Sequence, residues 1–190
     1  MSTSRETHDD KPPNNTITTM QAISPSAPEP SSDKDKTREE PLKSKEIIVS
    51  MSPEDMANIV SGKKNHVFRK YKLPTTRMWI YETSPTLAVR YCAIIGEPKG
   101  PDDISVNDRE GLGNESFKNR EWQNSDGSRT MFAFKIIKLF QVKKFKLNDL
   151  KRRRWLNNAT IGRFNWAMQD MVDELTKSRT LLFDNGMESS

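Results

Sequence analysis

Residues 47–70, IIVSMSPEDMANIVSGKKNHVFRK, contain the signals that decide the fold of this chain. An apolar β-rich run opens the stretch, and Ser52 and Pro53 follow as a helix start, with two carboxylates beside the positive end of the helix dipole. Gly62 stands where a left-handed cap ends a helix, so we predict that this helix ends one residue earlier. An aromatic and β-branched run from Asn65 then predicts a strand.

The rest of the chain adds strands and helices in an irregular order. Periodicity and turn residues predict strands at 46–50, 65–71, 77–83, 86–95 and 130–140, and helices at 53–61, 114–122, 148–155 and 161–177. Glycine, proline and aspartate between residues 96 and 108 predict a loop. Because helices and strands do not alternate regularly, we predict an α+β domain around a mixed sheet or small barrel.

The first 45 residues differ in composition from the rest. They contain no aromatic residue and hold 6 of the 11 prolines. Such a segment cannot bury enough apolar surface to offset chain entropy, so we predict a disordered N-terminal tail at 1–45, either an inert extension or a regulated tether. The folded domain is expected at 46–183, and a frayed C-terminus at 184–190.

Charge and hydropathy limit the classes of partner. The chain has a formal net charge of +5, and the residues after 45 carry 24 basic and 18 acidic side chains, which favours a polyanionic partner such as nucleic acid. The longest apolar-rich stretch, 87–95, is far shorter than the roughly 20 residues of a membrane span, so we expect no membrane anchor. A single cysteine and the polar start predict an intracellular protein, nuclear or cytoplasmic and not secreted.

Motifs for common enzyme chemistry are missing. Two histidines and one cysteine cannot supply a zinc site of spaced ligands. The chain contains neither a G-x-x-x-x-G-K-[ST] phosphate loop nor a G-x-S-x-G nucleophile elbow. The fragment Gly111-Leu112-Gly113 is too short for a dinucleotide fingerprint and reads as a plain loop. We therefore expect no metal and no cofactor.

Two basic clusters are candidates for phosphate contact. The first is GKKNHVFRKY at 62–71, where strand alternation puts His66 and Phe68 on one face and Val67 and Arg69 on the other. It is either a binding strand or a solvated edge strand. The second cluster comprises Lys151, Arg152, Arg153 and Arg154. It is a phosphate-contacting patch, a nuclear-import signal or a solvated helix.

Three segments in the correct order resemble the ASCH family of the PUA-like superfamily. They are 47–70, RMWIYETSPTLAVRYCAIIGE at 77–97, and GLGNESFKNREWQNSDGSRTMFAFKIIKLFQVKKFKLNDLK at 111–151. They carry a Pro-initiated helix, a G-K-K turn, an F-R strand, an I-Y-x-T-S-P strand pair and a closing L-x-x-L-K segment. The resemblance covers about residues 46–155. It implies a small mixed β-barrel with flanking helices and a pocket that binds RNA or a modified nucleotide, with DNA as an alternative partner.

The same resemblance indicates which residues would line the pocket. They are Lys63 and Lys64 of the G-K-K turn, Arg69 of the F-R strand, and Tyr81, Thr83 and Ser84 of Y-E-T-S-P. Lysine and arginine meet phosphate or a carbonyl, tyrosine stacks on a base, and the hydroxyls bond a base edge. Ordinary packing with a satisfied hydroxyl explains Tyr81 equally well.

An enzymatic alternative comes from the same family. Some relatives are amidohydrolases that remove the acetyl group of N4-acetylcytidine with a lysine, a threonine and a glutamate. Lys64 matches the lysine and Glu115 lies where the glutamate is expected, but Val67 replaces the threonine. Valine is neither a nucleophile nor a donor, so His66 or Thr83 would have to substitute. We rank binding over catalysis, and a protein-interaction adaptor with a vestigial pocket is the third interpretation.

Overall fold

The computed structural model describes residues 42–105, 108, 110–121, 132–156 and 160–186, all within one compact unit. In this part of the chain the strands are β1 (Lys43–Met51), β2 (His66–Arg69), β3 (Arg77–Glu82), β4 (Ala88–Lys99), β5 (Phe132–Lys146), β6 (Asn165–Met168) and β7 (Thr180–Asp184). The α-helices are α1 (Pro53–Val60), α2 (Asn114–Lys118), α3 (Leu147–Arg152) and α4 (Gln169–Lys177), and a 3-10 turn spans Pro101–Asp103.

Helix α1 begins and ends at its predicted signals. The Ser52 hydroxyl accepts a hydrogen bond from the Asp55 amide at 3.1 Å, and Pro53 is the first helical residue. The helix stops before the C-cap Ser61, and Gly62 follows with a φ of +76°, which glycine adopts without strain. The predicted helix is confirmed.

All seven described strands belong to one mixed sheet. Their order is β2-β5-β4-β3-β1-β6. Strand β7 also pairs with β5, at residues 138–141, whereas β2 pairs with residues 132–135 of the same strand. Strands β1 and β3 are parallel, and the other pairs are antiparallel. In the described ranges the end strands β2 and β6 do not pair with each other, so the sheet is open. The α+β class is confirmed, whereas the predicted closed barrel is not.

Helices cover both faces of the sheet, as alternating side chains of β1 show. Val49 packs in one cluster with Met56 of α1, whereas its neighbour Ile48 packs in a second cluster with Met171 of α4. Helix α3 contributes to the second cluster, and α2 covers a third, smaller one beside β2. The α1 face is therefore separate from the face under α3 and α4.

Strand β5 has the alternation that its sequence predicts. Ala133 packs on the α2 side of the sheet, whereas Phe134 and Ile136 pack in the α1 cluster. The strand runs on to Lys146 and is longer than predicted. The first two residues of the predicted range, 130 and 131, lie outside the described residues, as does the predicted end of α2 at residue 122.

The largest difference from prediction is near the C-terminus. The expected helix at 161–177 is strand β6 followed by the shorter helix α4, because β6 completes the free edge of β1, with Trp166 opposite Ile47. Strand β7 was not predicted, and β4 runs three residues past the start of the predicted loop.

Both predicted chain ends overlap with strands. Strand β1 begins at Lys43 and takes three residues from the predicted tail, whose residues 1–41 lie outside the described part. At the other end Asp184 closes β7, and residues 187–190 are outside the description. No helix in the described ranges is long and apolar enough to cross a membrane.

Candidate functional site

The turn between α1 and β2 holds Lys64 in a buried position. Its ammonium nitrogen lies 2.5 Å from Oδ1 of Asp55 and 5.6 Å from the centre of the Phe68 ring. The Lys64 side chain is only 7% exposed, against 42% for Asp55. A carboxylate and an aromatic face therefore fix the position of this positive charge.

Arg69 lies close to the start of α1, where Asp55 is located. Its guanidinium donates to the carbonyl of Ser50 at 2.9 Å and to that of Phe68 at 3.5 Å. Burial lowers the pKa of Arg69, while nearby Tyr71 and Asp55 favour the charged form. Asp55 thus pairs directly with Lys64 and acts on Arg69 through charge attraction, so one carboxylate influences both predicted pocket residues.

Buried polar side chains form a network behind this turn. Oδ1 of Asn65 lies 2.8 Å from Nδ1 of His66 and accepts a hydrogen bond from the Asn114 amide at 2.8 Å. Asn114 also donates to the carbonyl of Asp108. Nε2 of His66 and Oδ1 of Asn114 have no hydrogen-bond partner within the described residues. Asn65, Asn114 and Asp108, which make up this network around His66, were not predicted as site residues.

Burial decides the charge of His66. Desolvation lowers the pKa of the imidazole from 6.5 to about 4, although the nearby Asp108 opposes the shift. His66 is therefore neutral at neutral pH. Burial alone would raise the pKa of Asp108, but Lys135 at 3.0 Å and Lys99 at 3.2 Å outweigh it and hold that pKa below its usual value.

The loop before α2 packs against Asn65 because residue 111 has no side chain. A Cβ on Gly111 would lie 2.6 Å from Nδ2 of Asn114 and inside contact distance of the Asn65 side chain. The next amide, that of Leu112, donates to the carbonyl of Lys63 at 2.7 Å. The segment predicted as a plain loop therefore clamps the turn after α1.

The three predicted residues of the Y-E-T-S-P segment, Tyr81, Thr83 and Ser84, lie in different environments. Tyr81 is fully buried in the cluster with α3 and α4, burial raises the pKa of its hydroxyl, and that hydroxyl has no hydrogen-bond partner in the described ranges. Thr83 is half-buried and its amide donates to the carbonyl of Met51 at 2.9 Å, while Ser84 is exposed.

The residues of the hydrolase alternative are in unlike surroundings. Val67 is 2% exposed and packs in the apolar cluster under α1. Glu115 is exposed on α2, next to the fully buried Asn114. The carboxylate of Asp55 contacts the Lys64 ammonium.

The four residues of the second basic cluster are all exposed but differ in their partners. Arg152 lies 2.8 Å from Asp149, and Arg153 pairs with Glu174 while its guanidinium covers the Phe145 and Trp155 rings at 5.2 and 4.8 Å. Lys151 and Arg154 have no ion pair within the part of the chain that the structure describes. Two of the four charges are thus already matched by carboxylates.

Two cavities border α1. The first, which we call the α1-end cavity, has a volume of about 290 Å³ and lies between the end of α1 and β7. Its walls are Ile59, Val60, Ser61, Gly62, Lys64, Asn65, Leu182, Phe183 and Asn185. The second, of about 420 Å³, lies between α1 and the β3–β4 pair and contains the buried Glu82, bonded to Arg90 at 3.2 Å. Among the described residues no three His, Cys, Asp or Glu side chains come together as a metal ion requires.

Known structures show the class of this fold. The crystal structure of ASCH from Zymomonas mobilis is 26% identical over 72% of this chain and 96% of its own, with a TM-score of 0.55. A mutant form of that protein is 25% identical over 74% of this chain and 99% of its own, also at 0.55. No family model and no curated protein matches the chain. The chain has an ASCH-type fold, which confirms the resemblance in its sequence.

Proposed function

We propose that the protein binds RNA or a modified nucleotide at the α1-end cavity. The observation that supports this most is Lys64, a residue of the cavity wall whose ammonium is held by Asp55 and the Phe68 ring. A nucleotide offers a phosphate or a carbonyl to such a cation. The volume, near the lower end of the roughly 300–1,000 Å³ of small-molecule sites, suits one base or one nucleotide.

The remaining walls supply the other groups that a base requires. Phe183 of β7 offers an aromatic face, and Asn65 and Asn185 carry amides with both donors and acceptors. Part of this capacity is already used, since Asn65 accepts from Asn114. The amide of Asn185 reaches only the carbonyl of Ile136 at 3.5 Å, a long hydrogen bond that a base edge would replace.

Exposed basic side chains would contact the phosphates that flank the bound nucleotide. Lys63 is exposed beside the cavity, and Lys151 and Arg154 of the second basic cluster, at the end of α3 on the other face of the sheet, would contact phosphates further along an RNA strand. Contacts of this kind act through counterion release, so the logarithm of the affinity should fall linearly with the logarithm of salt concentration. Arg152 and Arg153 should contribute less, because carboxylates already pair with them.

A pair of variants separates binding from folding at this site. Lys64→Gln and Asp55→Asn both break the same ion pair, so both should lose stability, and Asp55→Asn should lose more because the buried ammonium then lacks that carboxylate. Only the first removes the cation. Fluorescence anisotropy with labelled single-stranded RNA should show about a tenfold loss of affinity for Lys64→Gln, the value of one charge-assisted hydrogen bond, and a smaller loss for Asp55→Asn, which keeps the cation but removes the carboxylate that fixes it.

Two outcomes would count against the proposal. If Lys64→Gln binds RNA as tightly as the unchanged chain, the lysine does not belong to the site. If the unchanged chain binds no RNA, DNA or nucleotide at low salt, the adaptor interpretation replaces nucleotide binding.

Hydrolysis of acylated nucleosides has weaker support. Val67, which occupies the threonine position, points into the apolar core, and a Thr at 67 would lack a prepared polar setting. We expect the purified protein not to deacetylate N4-acetylcytidine above background. Turnover that disappears in both Lys64→Ala and Glu115→Gln would make the amidohydrolase the primary function.

A further inference from the structure

An exposed tryptophan stands between two cavities at the free edge of the sheet. Trp166 lies on the end strand β6, is 40% exposed and meets the Phe164 ring edge-on at 5.6 Å between centres. It lines a cavity of about 420 Å³ with Arg154, Trp155 and Asn165, and a second one of about 430 Å³. The other tryptophans that the structure describes, Trp79 and Trp155, are at most 3% exposed.

Three basic residues line the same cavities as this ring. Lys43 lines both cavities, Lys45 lines the second and Arg154 lines the first. In the ranges that the structure describes, none of the three forms an ion pair. The nearby carboxylates are already used, since Glu46 accepts from Arg77 and Trp79. An aromatic face with unmatched positive charge on two sides is suited to a base and its flanking phosphates.

Arg154 has a backbone conformation that a residue with a side chain does not favour. Helix α3 ends with hydrogen bonds from Arg154 to Lys151 at 3.0 Å and from Trp155 to Leu150 at 2.8 Å. This pattern places residue 154 in the left-handed conformation, with a φ of +61°, where glycine is favoured. An arginine held at such a position is consistent with a role for its guanidinium at the cavity.

We infer that the Trp166 edge, defined as Trp166 with Lys43, Lys45 and Arg154, is a binding site for single-stranded nucleic acid that is separate from the α1-end cavity. One unstacked base lies on the Trp166 ring, and its flanking phosphates contact Lys43 and Arg154. The Asn165 amide, in the same cavity wall, faces the base edge. The inference rests on the proposed nucleic-acid binding and assigns it a second, stacking site.

The test compares the binding of an oligonucleotide with that of an oligomer that has the same backbone but no bases. Binding of the full chain to labelled oligouridine and to an abasic oligomer of equal length is measured by anisotropy. Trp166→Ala should weaken oligouridine binding about tenfold and leave abasic binding unchanged, because only stacking is removed. Trp166→Phe keeps an aromatic face and should retain most of the affinity. Lys43→Ala should weaken both ligands and reduce the salt slope by about one.

The outcomes separate this inference from the proposed function. If Trp166→Ala binds oligouridine normally while Lys64→Gln does not, the stacking site is wrong and the α1-end cavity stands. The reverse result supports the Trp166 edge and removes the cavity. If polyglutamate binds as tightly as oligouridine, the edge recognises charge alone and the stacking site is overturned. The abasic oligomer also reports folding, since a misfolded Trp166→Ala would lose that ligand too.

Discussion

The Lys64 turn and the Trp166 edge use similar residue types in opposite ways. At the turn, polar and charged groups are buried and already bound to one another, as Lys64 is to Asp55 and Asn65 to Asn114. At the edge, an exposed ring lies beside cations that have no carboxylate partner among the described residues. Basic and aromatic composition alone therefore does not distinguish a buried, already paired site from an open binding surface; the state of pairing does.

The largest effect expected of the buried network is a dependence of stability on pH. The pKa of His66 is about 4 in the folded protein and 6.5 in the unfolded chain. Between these values the unfolded chain takes up the proton first, so stability falls as the pH is lowered from 6.5 to 4, by about 3 kcal/mol. Urea unfolding across this range should show the fall, and His66→Gln should remove most of it.

The second histidine of the chain provides the control for this experiment. His8→Gln should leave the pH dependence of unfolding as it is, because the composition around that residue predicts a disordered tail. Below pH 4 the lowered pKa of Asp108 adds a separate loss of stability, as its carboxylate becomes protonated and leaves Lys135 and Lys99. A fall of equal size in His66→Gln would show that other groups carry the dependence.

A pair of glycine variants measures how tightly each region is packed. Gly111→Ala forces a methyl group into Asn65 and Asn114 and should cost about 2 kcal/mol, as overpacking does. Gly162→Ala, near the Trp166 edge, meets nothing within 4 Å and should be nearly neutral. Thermal unfolding of both variants checks the contrast, and equal shifts would mean that the clamp on the turn is not rigid.

Arg154→Gly should separate stability from binding at the edge. Glycine removes the strain of the left-handed conformation, so the variant should be as stable as the unchanged chain or more stable by up to about 1 kcal/mol. Its affinity for oligouridine should nevertheless fall. A clear loss of stability would show that the guanidinium of Arg154 supports the fold. The strained arginine would then be explained by stability and not by ligand binding.

The smallest effect concerns the N-terminus, where two deletions differ by four residues. Removal of residues 1–41 should leave the melting temperature nearly unchanged, because that segment has no aromatic and few apolar side chains. Removal of residues 1–45 also takes Lys43–Lys45 from β1 and one wall of the Trp166 edge. It should lower both the melting temperature and the affinity for oligouridine. A large effect of the shorter deletion would place part of the tail on the domain.

Local signals explain which parts of the fold the sequence predicts well. The cap at Ser52, the turn at Gly62 and the alternation in β5 are set by neighbouring residues, and all three are confirmed. The helix expected at 161–177 is wrong in its first half because apolar spacing fits both a helix and β6. Only the distant edge of β1 decides between them.

The same limit applies to the candidate site. The G-K-K turn was found because its residues are consecutive, and Lys64 is indeed buried beside a cavity. The hydrogen-bonded residues Asn65 and Asn114 are 49 residues apart in the sequence. Gly111 has no sequence feature that separates it from other loop glycines, and only the folded structure shows that Asn65 packs on it. Trp166 gives no local signal either, because its exposure and its cationic neighbours come from β1 and α3.

The position of β1 within the sheet has a consequence for how the chain folds during synthesis. This first strand of the described region pairs with β3 on one side and with β6, more than 100 residues later, on the other. A nascent chain therefore exposes one edge of β1 until residues near 168 leave the ribosome. Chains that stop before β6 should aggregate or recruit chaperones, because the unpaired strand can then join a neighbouring copy.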